Sequence, residues 1–420
     1  MSNRIYYNVH THIFDADCLP DGIMGDGMAL KAIRFAKKVK DQRFINWILP
    51  SFLHLLSGIL GFTKFKMQAA RVKRVEKLAL AITKGSQEGV YKELIETYKK
   101  DGLNNFRFVV LCQDMDHNCY QNNHKNILAQ MEEVSRMRRS YGAECLPFVG
   151  IDPRHAPELN TSRDIAKIYI EQKSFVGIKI YPASGFFPTD PKLDRVFKYV
   201  EENDLPIMIH FNVGVIFYRK NLSDVNAAAG VMFHTKDNAL FQMNFANPIL
   251  FEKVLQKYPK LKLCFAHFSG DYDVDELNKI NQNPQMLTHF LTHTSYPPEF
   301  LEAKEGRGKK KVMAYWHAYI RDVLIPKYDN VYTDISYQLA DKSDEFRMRI
   351  KDYLNNSPKL RERILFGTDF YVHVKEGKEE AELIPLVRDL FGQSLFDQIA
   401  SINAAKYLSS KVYTFKDVVV

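Results

Sequence analysis

The sequence predicts a single (β/α)8 barrel, the TIM-barrel fold, and three observations lead to this prediction. Eight short runs rich in β-branched and aromatic residues recur along the 420 residues, as is typical of parallel strands buried on both faces. Segments of helical length lie between these runs. Several of the runs end in histidine or aspartate. A minimal barrel needs only about 250 residues, so the remaining length is assigned to insertions.

The predicted strands and helices alternate as a barrel of this kind requires. The strands are predicted at 4–12, 106–113, 145–152, 175–181, 206–211, 261–267, 330–335 and 363–368. The helices are predicted at 124–140, 160–173, 191–203, 247–258, 312–327, 341–354, 379–391 and 394–408. Residues 1–420 are therefore assigned to one domain.

Three insertions follow predicted strands. The longest, at approximately 15–104, follows the first strand and is mostly helical by pattern, and the others follow the fifth strand (213–246) and the sixth (270–311). The active sites of barrels are built at the C-terminal ends of the strands. We therefore expect the insertions to form a lid and the walls of a substrate pocket, the first of them also an oligomer contact.

Composition and charge limit the functional class. Hydrophobic residues make up 46% and charged residues 26% of the chain, as in ordinary soluble proteins. The net charge of +8 is concentrated at 31–74, where eleven Lys or Arg face one acid, which excludes a nucleic-acid surface spread over the molecule. Five scattered cysteines without a C-x-x-C pair predict a reducing compartment. No room precedes the first strand for a signal peptide, so we expect a cytoplasmic location.

The first insertion contains an apolar stretch at 44–62, flanked by basic residues. Its length approaches that of a transmembrane helix, but Asn46, Pro50 and Gly58 interrupt it. We predict a helical lid or a homodimer contact rather than a membrane span. The alternative is that 31–74 forms a basic amphipathic element that contacts an anionic membrane or admits a hydrophobic substrate.

Polar side chains occupy the C-terminal ends of five predicted strands. They are His10 and His12 on the first, Lys179 on the fourth, His210 on the fifth, His267 on the sixth and Asp369 on the eighth. Residues i and i+2 of a strand share a face, and barrel closure brings distant strand ends around one cavity. Imidazole and carboxylate groups bind Zn²⁺ and also Mn²⁺ or Fe²⁺. The pattern predicts a divalent metal site, with Zn²⁺ as the first candidate.

The motifs at these strand ends resemble those of the amidohydrolase superfamily, in particular its amidohydrolase-related branch of metal-dependent barrel hydrolases and decarboxylases. They are His-x-His, Gly-Ile-Lys-Ile-Tyr-Pro, Ile-His, Ala-His-Phe-Ser-Gly and Phe-Gly-Thr-Asp-Phe. The final helix, with Ile-Asn-Ala-Ala-Lys-Tyr-Leu, is similar to the helix that closes such domains. The resemblance covers most of the chain except the large insertions.

The resemblance implies a role for each residue at the strand ends. His10, His12 and Asp369 would bind the first metal ion, with His210 as a further ligand. Asp369 would take a proton from a metal-activated water and pass it to the leaving group. His267 would be a second-metal ligand or a free acid–base group that stabilises an oxyanion.

Lys179 decides between one metal ion and two. In binuclear members of the superfamily the corresponding lysine is carboxylated and bridges two ions. In many members of the amidohydrolase-related branch a similar lysine stays unmodified, and the site holds one ion. The sequence favours the unmodified lysine and leaves the carboxylated lysine as the alternative.

Further residues are candidates for binding substrate or for orienting the ligands. The predicted substrate-binding residues are Arg154, Tyr181, Asn212 and His373, and a salt bridge between Asp152 and Arg154 is the alternative reading of that pair. Asp334 on the seventh strand could orient a ligand histidine. The remaining histidines that we considered are predicted to be surface residues: His54, His117, His124, His234, His289, His293 and His317.

The leading functional prediction is a hydrolase that cleaves an amide, lactone or ester bond of a small molecule. The alternative is a non-oxidative decarboxylase resembling aminocarboxymuconate-semialdehyde decarboxylase, which would need Arg154 to hold the substrate carboxylate. A carboxylated Lys179 with two ions would favour hydrolysis. A remote third reading is a non-enzymatic barrel that binds a membrane or an assembly through 31–74.

Overall fold

Eight parallel strands form one sheet in the order β1 to β8, each paired with the next along the chain. The computed structural model describes residues 4–15, 17–19, 85–117, 125–155, 162–212, 242–270, 272–287, 307–338, 344–370 and 380–413. The strands are β1 (Tyr6–Thr11), β2 (Phe106–Leu111), β3 (Cys145–Ile151), β4 (Gly177–Ile180), β5 (Pro206–Ile209), β6 (Lys262–Phe265), β7 (Val331–Asp334) and β8 (Ile364–Leu365). All eight predicted strands are confirmed.

Backbone hydrogen bonds join the first strand to the segment that follows β8. Val9 N donates to Phe366 O at 3.0 Å, and Asp369 N donates to His10 O at 2.9 Å. Thr11 also forms a parallel bridge with Phe370. These bonds close the barrel and hold Asp369 beside His10. The predicted (β/α)8 fold is confirmed.

The helices alternate with the strands and pack around them. They are α1 (Gln87–Lys100), α2 (Ile127–Tyr141), α3 (Ser162–Lys173), α4 (Asp194–Glu202), α5 (Pro248–Lys257), α6 (Val274–Gln282), α7 (Arg307–Tyr319), α8 (Asp344–Asn356), α9 (Pro358–Arg361), α10 (Glu380–Phe391), α11 (Gln393–Asp397) and α12 (Asn403–Leu408). A π-helical turn extends α7 at Ile320–Leu324, and another at Gln398–Ile402 joins α11 to α12. The eight predicted helices are all present.

Part of the predicted first insertion is the barrel's own first helix. Ser86 caps α1 by accepting a hydrogen bond from Gly89 N. The ring of Tyr98 on α1 lies 4.9 Å from that of Phe106 and 4.7 Å from that of Phe108 on β2, between ring centroids. The prediction of helix within 15–104 is therefore confirmed for α1, and 20–84 lies outside the described residues.

The strands separate two apolar layers. On β2, Phe108 and Val110 face the surrounding helices, whereas Val109 and Leu111 face the interior of the barrel, as the period of two along a strand requires. The ring of Phe148 fills the space above Gly177 so closely that a Cβ on this glycine would lie 2.5 Å from it. Apolar side chains of this kind fill the interior of the barrel.

The two ends of segment 20–84 are held at one place on the barrel. Cys18 Sγ donates to Gln87 Oε1 at 3.4 Å, so the residues flanking the segment touch. Gln87 N donates to Glu133 Oε1 at 2.9 Å, and Lys125 Nζ donates to the other oxygen of Glu133 at 2.6 Å. The described residues on either side of 20–84 are thus anchored at a single point.

The predicted lid, the apolar stretch 44–62 and the basic segment 31–74 lie outside the described residues. So does most of the insertions at 213–246 and 270–311, apart from α6 and the segments that border them. Within the part of the chain that the structure describes, no helix combines the length and apolarity needed to cross a membrane.

Candidate metal centre

A bulge in β1 accompanies the histidine pair. Asn8 pairs with Phe108 and Thr11 pairs with Val110, so β1 has one residue more than β2 between these pairs. Such a bulge changes the direction of the side chains around it. The Nε2 atoms of His10 and His12 lie 3.3 Å apart, and both side chains are buried.

Asp369 completes a cluster of three donor atoms. Its Oδ1 lies 3.6 Å from His10 Nε2 and 3.3 Å from His12 Nε2. Ligand bonds of about 2.0–2.2 Å place tetrahedral ligand atoms roughly 3.3–3.6 Å apart around one Zn²⁺. The spacing and chemistry of the three donors therefore fit a divalent cation.

His210 and His267 lie beside this cluster. The ring of His267 lies 4.7 Å from that of His10 and 5.2 Å from that of His210, between centroids. Within the described residues, the buried Nε2 of His210 has no hydrogen-bond partner. The pKa of four imidazoles lies well below its usual value, and burial is the largest cause in each case. They are those of His10, His12, His210 and His267. This shift favours the neutral form of the four rings, which is the form that binds metal.

Lys179 also belongs to this region. Its side chain is buried, and within the described residues its Nζ has no hydrogen-bond partner. Burial lowers the pKa of the amine to about 8, although the carboxylates of Asp334 and Asp369 act in the opposite direction. A buried amine with a depressed pKa is a common property of functional lysines.

Asp334 on β7 orients two of the histidines. Its Oδ2 lies 3.0 Å from His10 Nδ1, and its Oδ1 accepts hydrogen bonds from the backbone N–H groups of His267 at 3.0 Å and Ser336 at 2.9 Å. With its proton on Nδ1, the neutral ring of His10 presents a lone pair on Nε2 towards His12 and Asp369. The contact expected between Asp334 and a ligand histidine is present.

The backbone is strained at two of the predicted catalytic residues. The dihedral φ is +62° at His267, +43° at Phe268, +67° at Ser269 and +60° at Asp369. Each such conformation costs a non-glycine residue on the order of 1–3 kcal/mol and is often found at functional sites. The hydrogen bond from His267 N to Asp334 and the bond from Asp369 N to His10 O hold these two residues in place.

A buried polar network behind the centre was missed in the sequence analysis. Asn8 Oδ1 accepts hydrogen bonds from the N–H groups of Thr368 and His10, at 3.1 and 3.3 Å. Asn8 Nδ2 donates to Tyr98 OH at 2.9 Å, and Tyr98 OH donates to Glu380 Oε1 at 2.7 Å. Thr368 Oγ1 donates to the same oxygen at 2.9 Å. The network joins β1, α1 and α10 at the residues next to His10 and Asp369.

Replacing Glu380 by glutamine is expected to make stability depend less on pH. Burial raises the pKa of Glu380 from 4.5 to about 7, so between these values the folded chain holds a proton that the unfolded chain has lost. The free energy of unfolding then falls as the pH rises from 4.5 to 7. Glutamine cannot ionise, and its carbonyl accepts the same hydrogen bonds, so we expect a gain on the order of 3 kcal/mol at pH 8.

Thermal unfolding of wild type and Glu380→Gln at pH 5 and pH 8 measures this effect. Glu382→Gln, an exposed position on the same helix, is the control. An identical pH dependence in wild type and Glu380→Gln would contradict the prediction.

Arg154 forms the salt bridge that was the alternative reading. Its Nε donates to Asp152 Oδ1 at 2.9 Å, and a second guanidinium nitrogen donates to Ser184 Oγ at 2.9 Å. A further bond reaches Ser184 O at 3.1 Å. Its role in binding substrate stays a prediction.

The other predicted substrate-binding residues differ in their positions. The ring of Tyr181 lies 4.2 Å from that of His210, between centroids. Asn212 packs against Gly270, where a Cβ would lie 2.8 Å from Asn212 Cγ. Tyr181 therefore borders the candidate centre, the substrate-binding role of Asn212 stays a prediction, and His373 lies outside the described residues.

The surface prediction is wrong for His317. This residue on α7 is fully buried, and its Nδ1 lies 3.1 Å from Phe268 O. It packs on an otherwise apolar helix face, which the sequence analysis did not resolve. His117 is partly buried, with its ring centroid 4.8 Å from that of His155, a histidine that the sequence analysis passed over. The remaining surface predictions lie outside the described residues: His54, His124, His234, His289 and His293.

Solved structures with a similar fold come from several bacteria. A 5-carboxyvanillate decarboxylase from Novosphingobium aromaticivorans, solved with manganese and 4-hydroxy-3-methoxy-5-nitrobenzoic acid, has a TM-score of 0.50 at 13% identity and covers 97% of this chain and 99% of its own. The same enzyme from Sphingomonas paucimobilis has a TM-score of 0.47 at 12% identity, with coverage of 96% and 98%. A 4-oxalomesaconate hydratase from Rhodopseudomonas palustris has a TM-score of 0.45 at 11% identity, with coverage of 96% and 95%. The first of these likenesses supports the fold.

Sequence comparison identifies the family. A comparison with curated proteins gives no match. The model of a family described as amidohydrolase matches residues 127–409, which contain Lys179, His210, His267 and Asp369. The histidine pair on β1 precedes the matched range, and the barrel brings it to Asp369. Because the match covers more than half of the chain, the protein belongs to the amidohydrolase family, whose members are metal-dependent enzymes.

Proposed function

We propose that this protein is a metal-dependent hydrolase that cleaves an amide, lactone or ester bond of a small molecule. The observation that carries the proposal is the buried cluster of His10, His12 and Asp369, with donor atoms 3.3–3.6 Å apart. Every ligand position implied by the family resemblance is filled, which argues against a barrel recruited only for binding.

The proposed ligands of the first ion are His10, His12 and Asp369, with His210 as a fourth. Their mixture of imidazole and carboxylate suits Zn²⁺ and also Mn²⁺ or Fe²⁺, and manganese is bound in one solved decarboxylase of similar fold. A bound dication would supply Lewis acidity, which polarises the scissile carbonyl and lowers the pKa of the attacking water.

Asp369 is the proposed general base and acid. Its carboxylate faces the ring nitrogens of His10 and His12, and its strained backbone is held by the bond to His10 O. It accepts the proton of the attacking water and later delivers that proton to the leaving group, which completes the hydrolysis.

The position of the proton on the His267 ring decides which role this residue can take. Ser336 donates to Asp334 through its hydroxyl, and His267 Nδ1 lies 2.9 Å from that Oγ and 3.3 Å from Ser336 O. These contacts favour a neutral ring with the proton on Nδ1, which leaves a lone pair on Nε2. This arrangement supports a second-metal ligand or general base more than an oxyanion donor.

Lys179 supports the binuclear version of the proposal. A carbamate forms when an uncharged amine attacks carbon dioxide, and burial shifts Lys179 towards that uncharged form. Within the described residues the unmodified Nζ has no hydrogen-bond partner, whereas the oxygens of a carbamate on Nζ would be held by the metal ions. We therefore propose a carboxylated Lys179 that would help to hold two ions, with an unmodified lysine beside one ion as the alternative.

Hydrolysis is favoured over decarboxylation by the contacts of Arg154. A decarboxylase of the kind considered above would use this guanidinium to hold a substrate carboxylate. Here it is bonded to Asp152 and Ser184. Because these hydrogen bonds already occupy the guanidinium of Arg154, it is less available to bind a substrate carboxylate.

The protein loaded with Zn²⁺ or Mn²⁺ should hydrolyse members of a panel of p-nitrophenyl esters, lactones and N-acyl amino acids. Asp369→Asn is expected to lower kcat by about 10²–10⁴-fold. Asparagine tolerates positive φ, so this variant isolates the carboxylate from the backbone strain. Release of carbon dioxide from aromatic acids without any hydrolysis of the panel would replace this proposal with decarboxylation.

Location and assembly complete the proposal. The four cysteines in the described part of the chain are buried and free, namely Cys18, Cys112, Cys145 and Cys264. This supports a reducing compartment, and we propose the cytoplasm. A homodimer through the insertion helices and a peripheral membrane contact through 31–74 stay predictions.

A further inference from the structure

A second cluster of metal-binding side chains lies on the C-terminal rim of the barrel, apart from the residues of the candidate centre. Asp114 and Asp116 follow β2, and His155 follows β3. One ligand atom from each of the three lies within 4.8 Å of the others. His155 Nε2 lies 2.6 Å from Asp114 Oδ2 and 3.2 Å from Asp116 Oδ2.

We propose that Asp114, Asp116 and His155 bind a divalent cation of the Zn²⁺ or Mn²⁺ class, at a site separate from the one that carries the proposed reaction. Two carboxylate oxygens and one imidazole nitrogen are a ligand set that these ions accept. With a neutral His155, the two carboxylates balance the charge of the ion.

The contact between His155 and Asp114 is a close ion pair in which the ring N–H is poorly directed. Their facing atoms are 2.6 Å apart, yet neither His155 Nε2 nor Asp114 Oδ2 makes a hydrogen bond within the described residues. Asp114 is only 5% exposed, so water cannot readily serve the carboxylate. A buried oxygen that faces a nitrogen at this distance without a directed N–H is costly. A cation that replaces the proton of His155 would satisfy both atoms, which as ligands would move apart to roughly 3.3 Å.

The electrostatics of the cluster favour added positive charge. Burial raises the pKa of Asp114 to about 6, although His155 acts in the opposite direction. Burial lowers the pKa of His155, but the two carboxylates outweigh this effect and raise it to about 10. Without a metal, a proton on His155 supplies the positive charge that faces the two carboxylates. A metal ion and this proton therefore compete for the site.

The local backbone prepares the carboxylates for this role. Asp114 Oδ1 accepts a hydrogen bond from Asp116 N at 3.0 Å, so the two acids are held in one turn. Asp116 Oδ2 accepts from Ile127 N at the start of α2, at 3.3 Å. His155 N donates to Asp152 O at 3.1 Å, which positions the imidazole at the end of the next strand.

The test counts bound metal and does not depend on any activity. Wild type, His12→Ala, His155→Gln and the double variant are equilibrated with Zn²⁺ or Mn²⁺ and dialysed, and bound metal is measured by mass spectrometry. His155→Gln should lose one equivalent per chain relative to wild type. His12→Ala should keep that equivalent and lose metal only from the main centre. The double variant should lose metal from both sites.

A second variant guards against loss of fold. Asp116→Asn preserves the shape of the side chain and should lower the affinity for the same equivalent, whereas Asp101→Asn, at an exposed acid after α1, should change nothing. Thermal unfolding in EDTA identifies any variant that has lost its structure. Metal content and affinity equal to wild type in folded His155→Gln and Asp116→Asn would overturn the proposal and leave an ion pair with protonated His155. Because the readout is stoichiometry, that result would not bear on hydrolysis at the main centre.

Discussion

Replacing His12 by alanine is expected to lower the affinity of the main centre for Zn²⁺ by more than about 100-fold and to abolish hydrolysis. Loss of a residue that only orients a ligand already costs about 10–100-fold, and His12 is itself a proposed ligand. Its Nε2 lies 3.3 Å from both His10 Nε2 and Asp369 Oδ1. Removal opens the cluster and leaves only two of its three donors.

Competition with a chromogenic chelator measures the change in affinity. The matched control is Thr11→Ser, on the same strand, because the Thr11 hydroxyl donates to Val109 O and serine preserves that bond. Unchanged affinity and turnover in a folded His12→Ala protein would remove this residue from the site.

Replacing Asp334 by alanine is expected to lower the free energy of unfolding by roughly 4 kcal/mol or more, since four buried N–H and O–H donors lose their acceptor and each costs about 1–3 kcal/mol. The donors are His10 Nδ1, His267 N, Ser336 N and the Ser336 hydroxyl. Metal affinity should fall by about 10–100-fold as well, because the His10 ring loses the partner that fixes its orientation.

Asparagine at position 334 separates stability from metal binding. Its carbonyl can still accept from the backbone of His267 and Ser336, so the loss of stability should be smaller. Its NH₂ group would then face His10 Nδ1 and favour the tautomer with the proton on Nε2, so metal affinity should still fall. Urea unfolding and chelator competition together test this. Metal affinity equal to wild type in Asp334→Asn would contradict the proposed orientation of His10.

The fold and the main cluster could be predicted because their signals are local. An apolar run bounded by polar residues predicts a buried parallel strand, and the order of eight such runs leaves little choice of topology. His10, His12 and Asp369 stand at the ends of such runs. Their closeness in space then follows from closure of the barrel and needs no knowledge of side-chain conformation.

The supporting residues could not be predicted in this way. Asn8 and Glu380 are far apart in the sequence, and nothing in either neighbourhood indicates a shared network. Positive φ at His267 and Asp369 has no signal either, because glycine, which usually marks such conformations, is absent from both positions. The cluster around His155 depends on two loops whose side-chain directions are set only by tertiary packing.

The anchored residues on either side of segment 20–84 bear on how freely that segment can vary. The flanking Cys18 and Gln87 are in side-chain contact, and Glu133 secures the return point from α2. A segment whose ends already meet can be shortened, lengthened or exchanged at a small cost in loop-closure entropy. None of the proposed ligands lies within it, so a change in its length or sequence leaves all of them in place.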